Sequence, residues 1–451
     1  MSARDVLSDG AGIADVRSAL LGAGPRRTLR NTIQGLLERG ATLRTCRLRR
    51  AKFKPGRKLT VHFDVRVRSK GSDTVRSVVT VWSREVGDAL RDPAIASLES
   101  EAVSAGLASP FRELMAELPA PRVSIKVSPL DPKLPQLLRL SNPAHVAAML
   151  TDPARRMPRG GYRVSTVRYR PGERHVLRYD PVPLTSGQAV FAKLSRRDAD
   201  VARAFQLATR VADWLDASGG ETRAVRPLAI VPADGVILYP EVSGRPLSDS
   251  IRAGDRALAG HLRRAADALR ALHAAPASLV ESVPAREFAR DVEAVRRASE
   301  HITALAPRTG ELIREALERA GSAYARMPSE PAAFTHGDFK ADHLWATRDR
   351  LTLLDFGSCA SGDPACDVGK FLADLRWWAT LSRRPASGTR AAFRRAYAVG
   401  GNHARLRRAG VYEALFLVMF AAHRVPLYER DWAERTARQV RRALGILEKL
   451  A

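Results

Sequence analysis

Cysteine is almost absent. Cys46, Cys359 and Cys366 are the only three in 451 residues, too few and too odd a set for a disulfide framework, and they suit a reducing compartment. Long apolar runs are missing too. The best candidate, Ala414 to Ala422, is far short of the roughly 20 residues that span a bilayer and reads as a buried helix. The opening MSARDVLSDG has no apolar core of a signal peptide, so a cytoplasmic protein without a membrane partner is expected. Aromatics make up 6% of the chain, and no dense basic run is interleaved with them. Carboxylates are outnumbered: 48 Asp and Glu stand against 74 Lys and Arg, a net charge of +26. The excess is diffuse and is read as solvated faces, with a nucleic-acid or anionic-membrane surface the disfavoured alternative. Within that excess lysine is scarce, and between Lys133 and Lys370 only Lys193 and Lys340 occur.

Against this background the acidic residues near the C-terminus stand out. Two loops carry them, HGDFKADH (His336 to His343) and LLDFGSCASGDPACD (Leu353 to Asp367), with Leu351, Leu353 and Leu354 leading into Asp355 as a buried strand would. Phosphoryl transfer from a nucleotide needs one carboxylate to orient and deprotonate an attacking hydroxyl and another to hold a divalent metal. Asp338 suits the first task and Asp355 the second. Gly337 permits a tight turn, and Gly362-Asp363-Pro364 reads as the cap of a helix from Asp367 to Thr380. Asp363 and Asp367 are read as cap and loop-ordering groups, and His336 as structural. Cys359 and Cys366 lack the partners of a zinc site and count as small apolar residues.

These two loops, in this order, resemble the motif of the aminoglycoside phosphotransferase and choline kinase superfamily. The resemblance covers roughly residues 160 to 451. It implies an α+β, protein-kinase-like two-lobed fold, with a small mixed-sheet lobe, a mostly helical lobe and here an extra N-terminal α+β domain. The expected division is 1–150 for that domain, 151–243 for the nucleotide-binding small lobe and hinge, and 244–451 for the helical lobe. The resemblance further implies ATP and Mg²⁺ as cofactors, Asp338 as catalytic Asp and Asp355 as magnesium ligand. Lys340, two residues past Asp338, stands where many protein kinases aim a lysine at the γ-phosphate.

Position 343 departs from the family, which supplies Asn as a metal ligand there. Hard Mg²⁺ prefers oxygen. His343 therefore leaves three readings open: a site preferring Mn²⁺, a hydrogen bond to Asp338 or to a metal-bound water, or loss of the second metal.

Upstream, two segments repeat. Phe53-Lys54-Pro55-Gly56-Arg57 precedes LTVHFD, and Tyr169-Arg170-Pro171-Gly172-Glu173 precedes HVLRYD, each an aromatic-basic-Pro-Gly turn into alternating residues, as in a hairpin. A further strand follows each, VVTVWSRE (Val78 to Glu85) and AVFAKLSRR (Ala189 to Arg197). Aligning them on the shared Ser-Arg puts Val81 opposite Lys193, so only the second copy offers a nucleotide a compact positive charge. The first copy reads as a degenerate small-lobe sheet. The helical pattern Asp198 to Ser218 carries no Glu to pair with Lys193, since Asp200 falls too early and Asp213 too late. The strand Val236 to Tyr239 leads into a hinge-like PEVSG, where the Pro240 carbonyl and the Val242 N–H could meet adenine. No Gly-rich loop is visible, and RYRPGERHVL (Arg168 to Leu177) takes its place. His273 is read as structural.

The expected activity is ATP-dependent phosphorylation of a small hydroxylated molecule. A sugar-like metabolite is favoured over an aminoglycoside, because Trp377 to Ala451 is too basic to welcome a polycation. An inactive kinase-like nucleotide-binding scaffold is the alternative.

Overall fold

Alternation decides the first half of the chain. In the strand Lys58–Ser69, Leu59, Val61, Phe63, Val65 and Val67 are buried and the residues between them are not, because successive side chains of a strand point to opposite faces. The structure, a computed structural model, describes residues 6–8, 10–84, 92–118, 123–151, 161–183, 187–196 and 200–450. Glu85 and Arg197, which end the two third-strand segments, and residues 198–199 of the expected helix lie outside them.

Two five-stranded sheets follow one another. The first runs, in spatial order, Thr42–Lys54, Lys58–Ser69, Ser72–Ser83, Val123–Val127, Met115–Leu118. The second runs Gly161–Arg170, Arg174–Val182, Val190–Ser195, Val236–Pro240, Ala229–Val231. The spatial order is the same: a three-strand meander, then the last strand of the set, then the fourth on the edge. In each the third strand is followed by a helix, Pro93–Ser104 or Val201–Ala217. The hairpins match as well, pairing Lys54 with Lys58 and Arg170 with Arg174 around a three-residue connection. Their central glycines, Gly56 and Gly172, take φ of 64° and 66°, a left-handed region in which a Cβ is penalised. The alignment of Val81 with Lys193 holds in register: Val81 pairs with Thr60 and Lys193 with Val176, each two residues past the start of the second strand.

One detail differs from expectation. The second sheet is wholly antiparallel rather than mixed, since every connection between neighbouring strands returns the chain in the opposite sense. Mixed pairing occurs instead in two small sheets of the helical part. There Leu351–Leu353 runs parallel to Thr222–Ala224, and Ala285–Arg286 parallel to Ala360–Gly362.

Contacts divide the chain into two units. One comprises Met1–Val201, Leu228–Glu241 and Pro426–Arg430; the other comprises Ala202–Pro227, Val242–Val425 and Asp431–Ala451. Both large sheets lie in the first. The helices Leu137–Leu140 and Pro143–Leu150 cover one face of the second sheet, where Leu137, Leu140, Val146 and Leu150 share a core with Leu177, Tyr179, Val190 and Leu238. Lys193 alternates onto the opposite face, between buried Ala192 and Leu194. The second unit is mostly helical. Its helix His403–Arg424 buries Ala414 to Val418 as the sequence led us to expect. Among the described residues no helix is long and apolar enough to cross a membrane.

Candidate active site

The two acidic loops of the second unit are fixed by backbone pairing before any side chain is considered. The strand Ala333–Thr335 pairs with Ala360–Gly362, and Leu344–Ala346 with Leu351–Leu353. The Leu354 amide donates to the His343 carbonyl at 2.9 Å, tying the loops together at their centre. Gly337 is at φ +71°, and a Cβ there would stand 2.0 Å from the Ser358 carbonyl oxygen. No other residue fits this crossing. Asp355 takes φ 67° without being glycine, strain of about 1–3 kcal/mol of the kind held at functional sites.

Buried carboxylates on the helix Ala365–Leu381 hold the first loop. Asp367, fully buried, accepts from the amides of His336 at 2.6 Å and Gly337 at 2.8 Å. Asp374, also fully buried, accepts from the Ala341 amide at 2.7 Å and pairs with Arg424 at 2.6 Å. Asp363 accepts from the Ala365 amide at 2.9 Å and from Arg408, so it caps that helix. His336 faces the Leu354 carbonyl at 3.1 Å, and His273 faces the Tyr397 hydroxyl at 2.8 Å with its other nitrogen 3.5 Å from Asp367. All five groups therefore serve as supports.

On this frame Asp338, His343 and Asp355 come together, each offering a ligand atom within 4.8 Å of the others. His343 Nδ1 lies 3.1 Å from the Asp338 carbonyl oxygen. A carbonyl only accepts, so Nδ1 carries the proton and Nε2 keeps its lone pair. That lone pair faces Asp355 Oδ2 at 3.6 Å. Two acceptors set against each other are what a cation satisfies. Burial and then Lys340 push the His343 imidazole down to about 3, so it is neutral near pH 7. The donor set fits a divalent cation, and its nitrogen suits Mn²⁺ better than Mg²⁺. Asp342 is exposed and is not one of the three.

Asp338 has an unexpected second partner. Lys340 Nζ donates to its Oδ2 at 2.6 Å, and Lys370 Nζ sits 2.7 Å from its Oδ1 and 2.8 Å from the Gly337 carbonyl. Burial opposes ionisation of this carboxyl, but the charges of Lys370 and Lys340 outweigh it and hold it well below the usual range. The Lys370 ammonium also lies 4.9 Å from the Phe416 ring centre. Sequence reasoning missed Lys370. Its one signal was its residue type, a lysine where the chain otherwise uses arginine.

The remaining sequence-predicted residues belong to other elements. Lys193 is on the second sheet as described. Pro240 ends the strand Val236–Pro240, and the chain changes unit between Glu241 and Val242. The helix Val201–Ala217 has no Glu, and its Asp213 pairs with Arg226 at 2.6 Å.

The profile of the phosphotransferase enzyme family (APH) matches residues 182–410, half of the chain. The chain belongs to this family. No curated protein matches it. Among solved structures, this family member is similar to a choline/ethanolamine kinase family protein from Mesorhizobium loti, with 18% identity over 68% of this chain and 94% of that one and a TM-score of 0.46. It is similar also to aminoglycoside 2'-phosphotransferase-IIIa in its GDP complex (14%, 68% and 98%, 0.46) and to a macrolide 2'-phosphotransferase from Brachybacterium faecium (19%, 65% and 97%, 0.41).

Proposed function

We propose that this phosphotransferase moves the γ-phosphoryl group of ATP to a hydroxyl of a small molecule. The juxtaposition of Asp338, His343 and Asp355 on two loops braced by buried carboxylates carries the reading. Asp338 accepts the hydrogen bond of the incoming hydroxyl and orients its oxygen for attack. Asp355 and His343 hold the divalent cation, which when bound neutralises charge on the phosphate oxygens. Lys340 turns from Asp338 to the γ-phosphate, Lys193 serves the α- and β-phosphates, and the Pro240 carbonyl and Val242 N–H take the adenine. With two lysines already on Asp338, a polycationic acceptor is disfavoured and a neutral, sugar-like one preferred.

The doubly paired Asp338 and the helix without Glu also favour a second reading, a nucleotide-binding scaffold without transfer. Thermal stabilisation by ATP with Mg²⁺, and separately with Mn²⁺, tests the first step. A metal-dependent rise in Tm that Asp355→Asn abolishes is expected, larger with Mn²⁺ than with Mg²⁺. No rise with either metal sinks the kinase reading. Phosphate transfer to a panel of hydroxylated acceptors separates enzyme from scaffold, and Asp338→Ala should lower it about 10²–10⁴-fold.

A further inference from the structure

The hairpin Arg170–Arg174 of the second sheet has a tip with a single glycine, so it lacks the run of flexible backbone that lets a Gly-rich loop mould itself to phosphates. A free tip of this kind must be ordered each time a ligand binds, which weakens binding. Here the ordering is supplied from outside the sheet. Asp131, which follows the strand Val123–Val127 of the first sheet, is 6% exposed. Its Oδ2 accepts from the Tyr169 hydroxyl at 2.8 Å and from the Gly172 amide at 2.8 Å, while its Oδ1 accepts from the Lys133 amide at 3.0 Å. A buried carboxylate is costly unless such donors satisfy it, and hydrogen bonds to a charged acceptor are the stronger kind.

The tyrosine ring has two further neighbours. Its ring stacks on His175 of the second sheet, with centres 4.8 Å apart, and meets His62 of the first sheet edge-on at 5.5 Å. Gly172 is closely covered as well, since a Cβ there would lie 3.0 Å from Lys133 Cδ. A half-exposed ion pair, Lys52 to Glu173 at 2.8 Å, adds a weaker tie at the tip.

We propose that Asp131 is a positioning residue for the nucleoside triphosphate: by fixing Tyr169 and Gly172 it holds the hairpin tip ready over the phosphates, which makes the first sheet a working part of the nucleotide site. This rests on the reading of the second sheet as nucleotide-binding. It gives the extra N-terminal domain a task that its own sheet, with Val81 in place of a lysine, does not perform.

The test uses the full-length protein. Amide hydrogen exchange without nucleotide is followed in wild type, Asp131→Ala, Asp131→Asn and Tyr169→Phe, and Mg·ATP affinity is measured by calorimetry. Exchange across residues 168–176 should rise in Asp131→Ala while the strand Lys58–Ser69 keeps its protection. The Kd for Mg·ATP should weaken about tenfold or more, as loss of hydrogen bonds to a charged group implies. Asp131→Asn, which keeps an acceptor oxygen, should fall between. If Asp131→Ala does not fold, Tyr169→Phe removes one of the two ties and should show both effects in smaller degree. Unchanged exchange at the hairpin overturns the proposal, and so does faster exchange with an unchanged Kd. A wild type that binds no Mg·ATP overturns it together with the reading beneath it. The exchange data tell that case apart, because they report the brace without ligand.

Discussion

The two sheets of the first unit share strand order, a three-residue Pro-Gly turn and the register of the second strand on the third, yet differ at a few positions where chemistry is at stake. At the third strand the first sheet has Val81 and the second Lys193. On the second strand, Phe63 of the first is matched by Tyr179, whose hydroxyl donates to the Leu140 carbonyl at 3.0 Å. At the head of that strand, Leu59 is matched by buried His175. Topology is therefore set by features both copies keep, the Pro-Gly turn and the alternating apolar residues. The polar substitutions are what distinguish a candidate nucleotide sheet from a supporting one.

The largest effect should come from erasing the difference at the lysine. Lys193→Met should weaken Mg·ATP binding or transfer by about 100-fold, the scale of a lost charge-assisted contact. Adding Val81→Lys to that variant should restore nothing. Recovery of binding in the double variant would make the two sheets equivalent and break the comparison.

How much of this was legible in the sequence follows from distance along the chain. Asp338, His343 and Asp355 lie in two loops joined by a short pair of strands; residue type and order singled out the two carboxylates, and the resemblance to a known motif singled out position 343. The alignment of Val81 with Lys193 was legible because a hairpin fixes register locally. Lys370 was not, since it reaches Asp338 from a helix beyond the second loop and only tertiary packing brings it there. Asp131 was hidden for the same reason: nothing near it in sequence announces that it caps a hairpin some forty residues later. The mixed small-lobe sheet was taken from the family resemblance rather than from any strand signal, and the second sheet pairs antiparallel throughout.

A smaller effect is expected on stability. Tyr179→Phe makes the second strand like the first and leaves the Leu140 carbonyl without this donor. A buried acceptor so orphaned costs about 1–3 kcal/mol, to be measured as a lower urea midpoint with an unchanged slope. Phe63→Tyr is the converse control in the first sheet, and it should not stabilise. A neutral Tyr179→Phe would mean that the hydroxyl does not separate the two sheets.

The smallest effect at neutral pH should come from His175→Leu, which copies Leu59, and its value lies in its pH dependence. Burial, and then the neighbouring His62, push the His175 imidazole down to about 3, against roughly 6.5 in an unfolded chain. Between those values the unfolded state binds a proton that the folded state refuses, so wild-type stability falls as pH drops from about 6.5 toward 3. Above that window the group contributes no slope. The groups facing it are His62, Tyr169 and Thr166. His62 is itself held low chiefly by burial, and the effect of that burial is common to both proteins. The two proteins should unfold at similar denaturant concentrations at pH 7.5, and the variant should become the more stable one progressively below pH 6. Parallel stability curves across pH 4–7.5 would show that His175 is protonated without penalty, and that the second sheet's buried imidazole is as permissive a position as the leucine it replaces in the first.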